Sequence, residues 1–446
     1  MFSLALRSVR KRPGRFVATL LAAFLGATIT MAFNSLHDTA GTAGIDAAGE
    51  ETLTLSASVV GGYGTLLVFS ALASTLTVNV RQRASEISLL RRTGATPAQI
   101  KRMVVGEAAV VALVGWALAL VPAMFGGRAL LWMFQDSGQV ADSVDPVFGP
   151  VGVSAGLSIT LLAAVGASFL AVRRATRALA GAKAPRGRLR AAAGAGALLL
   201  GAGGLAATFA IDSDEPALMA APGYGAIMLS VGFATLAPAL MRGLLAVLGR
   251  PVAALTGAGG YLAVLNTRRR AAQLSGVLMP LILFTGIATA TVSMQLINNA
   301  VIDASGLTRT VEDKNLETVN LVVVGIIGVF CCVMLINTLY ASTTYRGGEF
   351  GRQRLAGATP RQVLRTVGVE GALLTAVGVF FGTVAGLSGT LVFHAARTDS
   401  VSLPGSIPGV FAGTAAVAAA ATLVTVVATA RRTLRTPAVN AVTVAA

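Results

Sequence analysis

Four of the 19 acidic residues, Glu86, Glu107, Glu349 and Glu370, sit among arginines in two stretches that are nearly one text. They read EISLLRRTGATPAQIKRMVVGE at Glu86–Glu107 and EFGRQRLAGATPRQVLRTVGVE at Glu349–Glu370. The offset is constant throughout, so that Arg83 matches Arg346, Glu86 matches Glu349, Arg91 matches Arg354, and Glu107 matches Glu370. Arginine and glutamate at such spacing offer ion pairing and recognition rather than bond making. The parts for catalysis are missing. No Ser/His/Asp constellation is in place, and His37 and His394 are isolated and read as surface residues. No G-x-x-x-x-G-K-[ST] phosphate loop occurs, and the glycine-rich Gly194–Gly204 has no lysine. Cys331 and Cys332 are adjacent within an apolar run, so they cannot staple the fold, and no Cys/His cluster has metal-site spacing. The expectation is a chain that hydrolyses nothing itself and holds neither metal nor cofactor.

Each copy of the repeated text predicts the same local structure. A helix runs through Arg91 or Arg354 and stops at Gly94 or Gly357, which suit the left-handed position at a helix end. Ala95-Thr96-Pro97 and Ala358-Thr359-Pro360 follow, with Gln99 and Gln362 three residues after each threonine. Threonine as N-cap, proline at the first helical position and glutamine at the third form a capping box. Each copy is therefore a charged elbow between two helices. Glu107 and Glu370 then open the following apolar runs near the inner interface, where each is either paired with a basic residue such as Arg83 or Arg346 or solvated.

The elements that carry the elbows are membrane spans. The chain has 446 residues, 54% hydrophobic and 12% charged, with a mean hydropathy of +0.75. A soluble protein has roughly 25% charged residues. Ten apolar runs approach or exceed spanning length, at about 16–33, 59–79, 104–125, 151–172, 191–211, 219–241, 274–297, 319–342, 368–392 and 408–430. The first is too long for a signal peptide and reads as a span. All but four of the 35 basic residues (Arg128, Arg309, Lys314 and Arg397) fall in the termini and alternate loops that would be cytoplasmic. Every acid outside the two repeated texts falls in the opposite loops. That asymmetry predicts both termini on the cytoplasmic side and accounts for the net charge of +16 without nucleic acid. Membrane lipid is the expected partner of the basic loops.

The fold class expected is all-α, a polytopic membrane protein of ten transmembrane helices in a 4+2+4 arrangement of two parallel repeats. The halves are 1–175 and 256–446, and 176–255 carries two connecting spans. Basic amphipathic segments at Leu4–Arg15 and Tyr261–Gln273 precede each half and are expected along the inner membrane surface. The outer loops are short, the longest being about Asn34–Ser58. Ser70, Thr75, Thr77, Ser293, Gln295, Asn337 and Thr338 lie within spans and are expected to bond neighbouring helices. Pro122, Pro238 and Pro280 would kink theirs.

The pattern R-x-x-E-(I/F)-x-x-x-R-x-x-G-A-T-P-x-Q, written twice and each time followed by a glutamate opening a glycine-rich span, resembles the FtsX-like permease family of ABC transporters. Two such halves in one chain resemble its MacB/BceB-type members. The resemblance implies a permease subunit of the bacterial cytoplasmic membrane, driven by two copies of a separate ABC ATPase that binds the ATP and magnesium. Arg83, Glu86, Arg91, Gly94, Ala95, Thr96, Pro97 and Gln99 would form one ATPase-coupling elbow. Arg346, Glu349, Arg354, Gly357, Ala358, Thr359, Pro360 and Gln362 would form the other, with Glu107 and Glu370 as support. The implied activity is export or extraction of an amphiphilic compound (an antibiotic, peptide or lipid) by a mechanotransmission-type motion. The alternative implied is signalling to an outer hydrolase or a sensor kinase. The large extracellular domain of those relatives is missing, which leaves the lipid-facing cleft as the main binding surface.

Overall fold

A computed structural model of the chain describes residues 16–42, 44–54, 56–58, 92–179, 186–212, 216–306, 310–344, 346–398 and 407–443, with single positions between 68 and 90 and at 405. The long elements are α1 (Val17–Ala40), α2 (Pro97–Asp136), α3 (Pro150–Leu179), α4 (Arg186–Ala207), α5 (Ala220–Arg269), α6 (Ala271–Ser305), α7 (Val311–Thr344), α9 (Pro360–Thr398) and α10 (Ile407–Leu434). The short α8 (Gly347–Leu355) precedes α9, and α11 (Ala438–Thr443) follows α10. Among the described residues nine helices are long and apolar enough to cross a membrane. They contain nine of the ten apolar runs; the tenth, 59–79, lies mostly outside the described residues, as does the segment Leu4–Arg15. Pro122, Pro238 and Pro280 all lie inside helices.

The chain divides into two compact units, Met1–Ala184 with Thr308–Val333, and Pro185–Leu307 with Met334–Ala446. In the first unit α1, α2 and α3 pack on one another. Small residues let them approach: Ala27 and Met31 of α1 meet Ala119 and Ala123 of α2 in one buried cluster. At the outer end predicted for α1, Asp38 accepts hydrogen bonds from the backbone N–H groups of Val151 (3.0 Å) and Gly152 (2.7 Å). The first turn of α3 is thus capped from another helix, where its free N–H groups and dipole favour an anion. The stretch read as the longest outer loop is largely helical. The helix α1 extends to Ala40, and residues 47–54 and 56–58 are helical with Leu53 and Ala57 fully buried.

In the second unit α6 packs against α9, and both pack on α5. Gly378, Gly382, Gly386 and Gly389 are buried along one face of α9. A methyl group at Gly386 would meet the Gly286 carbonyl, and one at Gly389 the Pro222 carbonyl. Without a hydrophobic drive inside lipid, such close approach is what lets helices gain dispersion energy. The helix α5 is bent at Gly257 (φ 67°, ψ −150°), which separates its spanning part from residues 258–269. One face of that second part packs into its own unit. Gly260, Ala263 and Thr267 are buried in the unit.

Three sequence expectations change. His394 is buried, with its Nδ1 3.0 Å from the Thr398 hydroxyl, because its position falls on the packed face of α9. The helix through the second elbow is interrupted: α7 ends at Thr344 and α8 begins at Gly347. Two glycines in succession, Gly347 and Gly348, weaken the helix there, and Arg346 is turned into the protein. Of the polar groups within spans, Thr338 donates to Met334 O at 2.7 Å and Gln295 to Asn299 Oδ1 at 3.1 Å, each a bond within its own helix. Ser293 is fully buried with no hydrogen-bond partner for its hydroxyl. Thr75 is buried, whereas Ser70, Thr77 and the Asn337 side chain lie outside the described residues.

Candidate coupling elbows

The two elbows share one backbone. Gly94 has φ 95° and Gly357 φ 98°, the left-handed region where a Cβ is costly. Just past each glycine an N–H reaches back five residues, Ala95 to Leu90 O and Ala358 to Gln353 O, both at 2.9 Å. That 6→1 bond is a Schellman ending, and it satisfies a carbonyl the helix leaves over. The next helix starts with a full capping box in each copy. Thr96 N–H donates to Gln99 Oε1 at 2.9 Å, and Gln99 N–H to Thr96 Oγ1 at 3.3 Å. In the second copy the same bonds run from Thr359 N–H at 2.8 Å and Gln362 N–H at 3.3 Å. Pro97 and Pro360 open α2 and α9.

Matching residues anchor the two turns. Ile87, Ile100 and Val104 are buried in the first, with Ala171 and Val172 of α3. Phe350, Val363 and Val367 are their counterparts in the second, within a larger cluster that includes Ala430 of α10. Glu107 and Glu370 are buried at matching places in α2 and α9, 1% and 7% exposed.

The charges of the second elbow turn inward. Arg346 pairs with Glu370 through both terminal nitrogens, the Nη2–Oε1 bond measuring 3.0 Å. It also reaches Glu349 at 3.2 Å through Nε. Glu349 holds Arg270 at 2.5 Å, and Asn266 donates to Glu370 at 3.2 Å. The guanidinium of Arg346 lies 5.1 Å from the Phe350 ring. One knot therefore joins the tail of α5, the turn after α7, and α9. Burial on its own would lower the pKa of Arg346 and raise that of Glu349, but the bonds of Arg346 to Glu370 and then Glu349, and those of Glu349 to Arg346 and then Arg270, outweigh it. Arg346 is held above its ordinary value, and Glu349 below its own. Arg354 goes elsewhere: its Nη1 donates to Leu434 O (3.2 Å) and Thr436 O (2.8 Å), capping the end of α10.

Of the first elbow's charges, Arg83, Glu86 and Arg91 lie outside the described residues. Within its described part the Lys101 ammonium lies 3.7 Å from the centroid of the Phe169 ring of α3. Asn266 and Arg270 are the members of the knot that sequence reasoning missed. Their segment is basic and amphipathic, a pattern shared by a surface helix and by one whose polar edge meets a buried acid.

The side chains left outside form a compact tip on each elbow. In the first they include Leu89 (63% exposed), Arg92, Gln99 and Arg102. In the second they include Arg352, Leu355 (58% exposed), Arg361, Gln362 and Arg365. Among the described residues each tip presents one exposed leucine among arginines. Among the described residues no cluster of His, Cys, Asp and Glu could hold a metal.

Nine long apolar helices among the described residues, with the same turn leading into two of them, define a multi-pass membrane protein. The family model described as FtsX-like permease C-terminal matches residues 58–179 and 321–438, more than half of the chain. The chain belongs to the FtsX-like permease family, with two FtsX-like segments in one polypeptide. That makes it a permease subunit of the ABC-transporter kind, in a class of transport subunits that generally pair with an ATPase. No curated protein matches the chain.

Proposed function

We propose that this chain is the membrane subunit of a transporter that exports or extracts an amphiphilic compound, driven by two copies of a separate cytoplasmic ATPase. Each elbow is a docking helix for one ATPase. The supporting observation is the agreement of the two turns in backbone, capping and buried anchors, with a leucine exposed among arginines at each tip. An exposed leucine of that kind suits insertion into an apolar pocket, and the surrounding arginines suit an acidic rim. Both termini and both elbows lie on the cytoplasmic side of a bacterial inner membrane, in the orientation that the basic loops favour. Ten spans in a 4+2+4 order then carry motion from the ATPases to the outer loops. The amphiphile is taken from the lipid-facing surface, since short outer loops offer little else.

The test is the composition and coupling of the purified complex. Co-expressed with its ATPase, the chain is expected to carry two ATPase subunits in native mass spectrometry. Leu89→Glu and Leu355→Glu each remove one. A stable complex with a single ATPase, or two ATPases retained in both variants, overturns the docking role.

A further inference from the structure

The region of α4 and α5 outside both elbows carries a site of its own. Arg190, in the first turns of α4, donates its Nε to the carbonyl of Thr235 at 2.5 Å. Arg242 on α5 donates its Nε to the carbonyl of Pro238 at 2.9 Å. Thr235 and Pro238 are three residues apart on one helix, so these carbonyls lie on neighbouring positions of one face, about 4.5 Å apart along the axis. Both guanidinium groups are therefore pinned through Nε within one turn of each other. Neither is in an ion pair among the described residues. Their remaining nitrogens, two on each, are the fork that binds phosphate oxygens in a bidentate manner.

Few acids lie near them along the chain. Between Asp145 and Asp303 the chain has only Asp212, Asp214 and Glu215, at the far end of α4. The same stretch holds twelve basic residues, from Arg173 to Arg270. The flank of α4 about a quarter turn round from Arg190 is apolar and open, with Leu200 68% exposed. From Arg190 to Leu200 the helix rises about 15 Å, half of a hydrocarbon core and thus the depth of one leaflet.

We propose that Arg190 and Arg242 form a clasp for the phosphate of an anionic phospholipid, whose acyl chain lies along the flank of α4 that carries Leu200. A zwitterionic lipid carries the same phosphate but brings a cation that the surrounding arginines repel, so the site selects net negative headgroups. The clasp itself does not depend on which way the chain crosses the membrane; the orientation proposed above decides only that it faces the inner leaflet.

The full chain in detergent, mixed with phosphatidylglycerol and phosphatidylcholine at equal mole fraction, tests this by native mass spectrometry of retained lipid. Wild type is expected to retain phosphatidylglycerol in preference. The pair Arg190→Gln with Arg242→Gln is expected to lose that preference by about tenfold. The conservative pair Arg190→Lys with Arg242→Lys keeps the charge but not the fork, and is expected to lose most of it as well. Arg268→Gln, a basic residue of the same unit outside the clasp, is expected to change nothing. Thermal unfolding of each variant shows that it is folded. Equal retention in the glutamine or lysine pair overturns the clasp, as does an equal loss in Arg268→Gln. Displacement of the lipid from wild type by excess inorganic phosphate assigns the site to a free anion and overturns the lipid.

Discussion

Gly94 and Gly357 differ by 3° in φ, and the capping hydrogen bonds after them agree to within 0.1 Å, yet one described support of the first elbow has no counterpart in the second. In the first, the described anchor is Lys101 over Phe169. In the second, Leu364 and Arg432 stand at the matching positions, and the elbow is held by the Arg346 knot and by Arg354 on the end of α10. The tips differ too. Leu89 and Arg92 of the first become Arg352 and Leu355 in the second, so that leucine and arginine exchange places one helical turn apart. A backbone that agrees this closely while the Lys101–Phe169 pair and the order of the tip residues change points to a constraint on shape. Both elbows present the same corner with an exposed leucine among arginines.

The largest expected effect comes from the brace of the second elbow. Arg346 and Glu370 have side chains only 14% and 9% exposed, so removing one leaves the other charged and buried. Arg346→Met is expected to cost about 3–5 kcal/mol, read as a lowered unfolding temperature in detergent. The double variant Arg346→Met with Glu370→Leu removes both charges and should recover much of that loss, since apolar pairs of similar volume often replace buried ion pairs well. No recovery would mean that the pair orients the elbow rather than merely neutralising itself. Lys101→Met, by contrast, removes a cation from one ring face and is expected to cost about 1 kcal/mol or less.

Next in size is the shape that the two elbows share. Gly94→Val and Gly357→Val each force a β-branched residue to positive φ, at a cost of about 1–2 kcal/mol. The space around both glycines is open, so strain alone carries the effect. Both variants should insert normally and lose ATPase stimulation to a similar degree. If one elbow tolerates valine and the other does not, their equivalence ends.

The corner was legible in the sequence because its parts are local. A glycine at a helix end, a threonine cap and a glutamine three residues on need no tertiary context to be recognised. The partnership of Arg346 with Glu370 was within reach for a related reason, since a buried acid near the membrane demands a base. The rest of the knot was not. Asn266 and Arg270 come from a helix that enters from earlier in the chain, and only the bend at Gly257 brings it in. Arg354 reads like a residue made to face a partner, but its donor groups fit the unsatisfied carbonyls at the end of α10. Charge recurrence marks important positions without showing which way they point.

The exchange of tip residues sharpens the comparison at a smaller scale. Leu89→Arg combined with Arg92→Leu gives the first elbow the tip order of the second. If both tips enter equivalent grooves that accept either order, ATPase stimulation should change less than about twofold, a difference below roughly 0.5 kcal/mol. A large loss would show that each groove reads its own order, and that the two ATPase contacts are distinct.

The smallest effect separates the members of the knot by acidity. Glu349 is about a quarter exposed and its pKa is lowered by Arg346 and Arg270 against the opposing effect of burial. A carboxylate with a depressed folded-state pKa contributes stability above its unfolded value, about 4.3, and loses it as pH falls through the folded one. Arg346, raised above an already high value, stays charged throughout this range and contributes no slope. Wild type should therefore exceed Glu349→Gln in unfolding temperature by a constant margin from neutral pH down to about 5. The margin should shrink as pH falls below about 4.3. Solvent access keeps it modest, well below the loss in Arg346→Met. A margin that does not narrow in acid would mean that Glu349 is not the ionised partner of these two arginines, and the brace would then rest on Arg346 and Glu370 alone.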